Sequence, residues 1–140
     1  MSIKKALGAI VAAYLLRVGL QYLVYGILMR PDFAMNADVW RLQDELMHRM
    51  WIMLLAQLIF TVGAVLIYQR GIENKSWVGQ GIRFGILLSL VSGIPSAMSQ
   101  YVAVPIHHRV SLHEIIAETC IAILMGLVIA AICQPKTSAV

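Results

Sequence analysis

Charge is scarce in this chain. Asp, Glu, Lys and Arg together make up 13% of its 140 residues, about half the share found in soluble domains. Hydrophobic residues make up 60%, and the mean hydropathy is +0.79. That balance argues against a water-soluble enzyme or binding module and for a chain solvated by lipid. Cysteine is scarce too: only Cys120 and Cys133 occur, both in the last apolar run. On one helix they stand about 20 Å apart, beyond disulfide reach, so they read as small packing residues and not as a redox pair. The motifs of common chemistry are also missing. There is no glycine-rich phosphate loop after a strand, no G-x-S-x-G and no C-x-x-C. Gly79-Gln80-Gly81 reads as a tight turn at the start of an apolar run.

What is present is four long apolar runs. A helix crosses about 30 Å of hydrocarbon with about 20 residues. The runs cover Ala6 to Met29, Met50 to Tyr68, Val78 to Val104 and Leu112 to Cys133. Arg30-Pro31-Asp32, Gln69-Arg70-Gly71, Pro105 and Gln134-Pro135 end them. Spans in lipid must satisfy every backbone polar group internally, so all four are expected to be helical. The expected fold is therefore all-α: one integral membrane domain over 1–140, built as a transmembrane four-helix bundle. The first run is long, and no small-residue cleavage site follows it, so no signal peptide is expected.

Four spans put both termini on one side. Lys4, Lys5, Arg70, Lys75, Arg83 and Lys136 then share that side, and Arg30, Arg41, Arg49 and Arg109 share the other. The second side also collects Asp32, Asp38, Asp44, Glu45, Glu114 and Glu118. The positive-inside rule then places both termini in the cytoplasm, with Trp51 and Trp77 as belt residues at opposite faces. The net charge of +4 is explained by topology, and no nucleic-acid partner is expected. Lys75 and Arg83 are placed to meet anionic lipid.

Local signals refine the ends. In DVWRLQDELMHR, Asp38 is a good N-cap and Val39, Leu42 and Leu46 recur at helical spacing. Arg41 with Glu45, and Glu45 with Arg49, are i,i+4 charge pairs. The second helix is thus expected to begin near Asp38 and to extend beyond the membrane on the outer side, or to be preceded by a helix lying on the interface. Such a segment can be a solvated extension or a docking surface. Ser111-Leu112-His113-Glu114 matches a capping box at the start of the fourth helix. Asn74-Lys75-Ser76 matches a glycosylation sequon but falls in the expected cytoplasmic loop.

The stretch AAYLLRVGLQYLVYG holds Arg17 inside an apolar run. A charge at mid-bilayer is costly and turns toward the bundle interior. Ala9, Ala13, Arg17, Gln21 and Tyr25 form one stripe, and small residues permit close helix packing. Glu118, Ala122, Gly126 and Ala130 form another, as do Gln57, Thr61 and Ala64. Gly85, Ser89, Ser92, Ser96 and Gln100 line the third span, with Gly93 and Pro95 set to bend it. Arg17 is expected to pair with Glu118 in a layer that Gln21, Gln57, Ser92 and Ser96 help to satisfy. Two uses of that layer remain open: a clamp fixing helix register, or a site for a polar head group, a quinone-like ring or a proton path.

All four histidines, His48, His107, His108 and His113, fall on the expected outer side. A zinc or copper site at the bundle mouth, or a haem between His48 and His113, would use them. No H-x3-H or H-E-x-x-H spacing supports this, and the alternative is polar residues near headgroups. No cofactor can be named from the sequence.

The stretch RGIENKSWVGQGIRFGILLSLVSGIPSA, residues 70–97, resembles the central segment of a family of small four-span bacterial membrane proteins with no assigned function. The pattern is an acidic-basic loop, then G-x-R-F-G, then a Gly-x-Pro bend, and it extends to the Ile132-Cys133-Gln134-Pro135 end. The resemblance implies the four-span fold and the bacterial inner membrane, and it transfers no active residues. Besides the lipid bilayer, the chain is expected to meet a membrane-protein partner or a second copy of itself. The leading functional expectation is an accessory subunit of a larger membrane complex. The alternatives are a lipid, quinone or small-molecule binder, or a minimal dimeric transporter. An enzyme would need the histidines to hold metal.

Overall fold

A computed structural model describes residues 2–41, 43–73 and 75–134. Leu42 of the expected helical repeat, Asn74 of the sequon, Pro135 and Lys136 lie outside the described residues.

Ser2 caps the first helix, its hydroxyl accepting from the Lys4 amide. This α1 spans Ile3–Leu23 and runs on through a wider π turn, Val24–Leu28. After Met29 a short α2, Arg30–Ala34, starts with Pro31 in its first turn, where a missing N–H costs nothing. A 3-10 turn at Ala37–Val39 follows, and then α3, Gln43–Arg70. α4, Trp77–Leu88, passes through a second π turn, Ser89–Gly93, into α5, Ile94–Ala103. Pro95 accounts for this irregularity, because its ring removes a backbone donor and crowds the preceding turn. α6, His108–Cys133, is the last element among the described residues, in which no strand occurs.

Among the described residues, four helical segments are long and apolar enough to cross a membrane: Ile3–Leu28, Asp44–Arg70, Trp77–Ala103 and His108–Cys133. Large apolar side chains cover their outer faces; Val102, Val91 and Leu15 are 86%, 80% and 64% exposed. Such apolar cover is stable only in lipid, so this is a multi-pass membrane protein. α6 is its centre. It packs most extensively on α4, then on α1, and touches α3 and α5, while α3 leans chiefly on α1.

The α4–α6 seam is built from glycine. A Cβ on Gly85 would fall 2.6 Å from the Ala122 carbonyl oxygen and 2.8 Å from the Ile123 amide nitrogen. One on Gly81 would lie 2.8 Å from the Leu127 Cα. With only hydrogen at these positions, the two backbones touch directly, as small residues allow between helices in lipid. Ala9, Ala13, Ala64, Val65, Met125 and Ile129 fill the core beside the seam.

Chain connections tie the two ends. At one end the Lys5 ammonium donates to the Gln134 carbonyl (2.6 Å), and Tyr68 meets Phe84 edge-on, so the described termini lie together. At the other end residues 29–40 fold over the start of α6. Met29, Ile106 and Val110 are buried there with Phe33 and Trp40 packed against them.

Three expectations need correction. The second long helix does not begin near Asp38. Trp40 turns extended and stacks edge-on against Phe33 at 5.1 Å, which breaks the helical path before Gln43. Ser111 and Glu114 do not form a capping box. His107 caps α6 through its ring Nδ1, which accepts from the Arg109 amide, so both residues lie inside the helix, and Ser111 donates to the Ala97 carbonyl instead. The inward line of the third span is Gly81, Gly85, Ser89, Gly93 and Ala97, not the line through Ser92 and Ser96. Positions four apart drift around a regular α-helix; the wider π turn cancels that drift and rotates Ser92 and Ser96 away.

Candidate functional site

Where α1, α3 and α6 meet, the polar side chains form a ring. Arg17, 8% exposed, projects from α1 at the level where α3 and α6 pack on it. Its Nη2 donates to Glu118 Oε2 of α6 at 3.1 Å. Its Nε donates to Gln57 Oε1 of α3. Gln57 Nε2 donates to Gln21 Oε1, back on α1 one turn beyond Arg17. Gln21 Nε2 closes the circuit on Glu118 Oε1 at 3.0 Å. Tyr25, one turn further, donates its hydroxyl to the same oxygen at 3.0 Å. The guanidinium carbon lies 4.4 Å from the centre of the Phe60 ring, a cation–π contact that covers one face of the charge.

The local sequence explains the placement. Arg17, Gln21 and Tyr25 are four apart, so one face of α1 and of the π turn that continues it delivers all three toward α6. Gly93 matters in a different way. A Cβ there would lie 3.1 Å from the Glu118 Cβ, so the bend before Pro95 presses backbone against the stem of Glu118. The bend therefore packs against the stem that carries the carboxylate.

Of the residues singled out in the sequence, the structure gathers Arg17, Gln21, Gln57 and Glu118. Ser92 donates to the Leu88 carbonyl of its own helix, and Ser96 is exposed. The hydroxyl that does bridge the third span to α6 is Ser89, at the start of the π turn after α4, 2.7 Å from Thr119 Oγ1. Tyr25 and Thr119 were the missed partners. Both signals were legible: Tyr25 continues the Arg17 stripe, and Thr119 follows Glu118 directly.

The histidines do not converge. His113 Nδ1 lies 2.6 Å from Asp32 Oδ2, and Asp32 is buried in α2. His107 and His108 stack on each other, ring centres 4.1 Å apart, and the His107 amide donates to Asn36 Oδ1. His48 is exposed on α3. Among the described residues, no three of the His, Cys, Asp and Glu side chains come together as a metal site would need. The His113–Asp32 and His107–Asn36 contacts do other work: they fasten residues 29–40 onto α6.

Comparison with protein-family models, curated proteins and solved structures finds no match to this chain.

Proposed function

We propose that the protein is a small structural subunit of a larger membrane complex, seated in a bacterial inner membrane with both termini in the cytoplasm. The observation that carries this reading is the closure of the polar ring. Arg17, Gln57, Gln21 and Glu118 each bond to the next, and the fourth returns to the first. A ligand site at this level would need groups held open toward the ligand. Here the paired charges are spent on one another and join three helices.

The remaining features agree with that role. Residues 29–40 form a packed cap at the end opposite the termini, and the first turns of α3 stand beside it as an exposed polar segment carrying Asp44, Glu45, His48 and Arg49. This exposed head of α3 extends beyond the lipid on the outer side and is the surface offered to a partner. The basic residues at the end shared by the termini support the orientation.

Native mass spectrometry of the protein, extracted from its own membrane in mild detergent, tests the proposal. The expected result is a mass far above a small multiple of 15.5 kDa, with other polypeptides present. A mass of one or a few copies alone, with or without a small adduct, overturns it.

A further inference from the structure

Glu114 is left over from the arrangement just described. It lies one helical turn before Glu118 on α6, about 6 Å along the axis, and is only 6% exposed. Among the described residues its carboxyl makes no hydrogen bond and no ion pair, while its neighbours are all engaged. Glu118 is held by Arg17, Gln21 and Tyr25, and Asp32 is held by His113. The ionisable groups that bear on it are Glu118, one turn on along α6, and Tyr25 from the π turn after α1; His113 precedes it on α6 and is bonded to Asp32 of α2. α5 brings Ala97 against Ser111 at this level, and its own ionisable residue, Tyr101, is exposed.

Two physical facts then bear on this carboxyl. A charge with no partner and little exposure is costly, and more so beside lipid. An ionised Glu114 would also add a second negative charge one turn from Glu118, with Arg17 already shared between Glu118 and Gln57. We infer that Glu114 is a proton-binding site near the end of the bundle where Asp32 and His113 lie, a carboxyl that holds its proton and exchanges it there. The inference is independent of any partner. It also bears on the ring: an ionised Glu114 would set a second negative charge near Glu118 and near the Tyr25 hydroxyl that donates to Glu118.

A hydrophobic carbodiimide, dicyclohexylcarbodiimide, tests this on the protein in its own membranes. A protonated carboxyl adds across one C=N bond: its proton goes to nitrogen, and its oxygen bonds the central carbon. The O-acylisourea formed rearranges to a stable N-acylurea, and no oxidant or reductant is needed. The expected result is one adduct, placed on Glu114 by peptide mass mapping and absent in Glu114→Gln. Its yield should be greatest at acid pH and fall about tenfold per pH unit once the carboxyl ionises. Mapping on the unmutated chain keeps the test valid even if the variant folds poorly. No adduct at acid pH, an adduct on Glu118 instead, or a yield that does not change with pH overturns the inference.

Discussion

Replacing Gly85 with alanine probes the α4–α6 seam directly. The added Cβ would lie 2.6 Å from the Ala122 carbonyl oxygen and 2.8 Å from the Ile123 amide nitrogen. Neither atom belongs to a side chain that can turn aside, so the two helices must separate by the better part of an ångström. Overpacking of this kind costs about 3 kcal/mol when backbone must move. Against this, alanine gains about 1 kcal/mol of helix propensity over glycine. The net expectation is a loss of about 2 kcal/mol. Gly19→Ala is the internal control, because nothing lies within 4 Å of the Cβ it would add. There the propensity gain stands alone, and stability should rise slightly or stay level. Equilibrium unfolding of purified variants in mixed micelles, followed by circular dichroism, gives both numbers. If Gly85→Ala is as stable as the parent, the direct backbone contact is wrong.

Further perturbations separate the ring from its surroundings. Tyr25→Phe removes one donor from Glu118 but leaves Gln21 and Arg17, so a loss of about 1 kcal/mol is expected in the same assay. Asp32→Ala frees residues 29–40 from His113. Since the His113 side chain is 42% exposed and water can replace its partner, the global cost should be small, about 1 kcal/mol. Amide exchange should nonetheless quicken across 29–40 while α6 beyond Ala122 stays protected; unchanged exchange there would contradict the fastening role.

The spans were the most legible part of the fold, because length and hydropathy are read directly in lipid. Their ends moved by a few residues, since caps compete locally: His107 starts α6 before Ser111 can. The juxtaposition of Arg17 and Glu118 was legible for a related reason. A guanidinium in an apolar run needs a carboxylate, and Glu118 is the acid lying deepest in the other runs. What sequence spacing could not convey was the π turn at Ser89–Gly93, which rotates Ser92 and Ser96 off the inward face. The fold of residues 29–40 was also hidden, because it depends on Trp40 meeting Phe33 and Asp32 meeting His113 across distant elements. Glu114 was misread because a local capping pattern matched while the tertiary start of the helix lay elsewhere.

The account rests on the ring being a structural clamp between α1, α3 and α6, and a double-mutant cycle measures that most directly. Arg17→Leu and Glu118→Leu each leave a buried charge without its partner, and each should cost about 3 kcal/mol or more. Combined, they remove both charges from an apolar setting, and the double variant should recover at least about 2 kcal/mol of the summed loss. Losses that simply add would contradict the clamp.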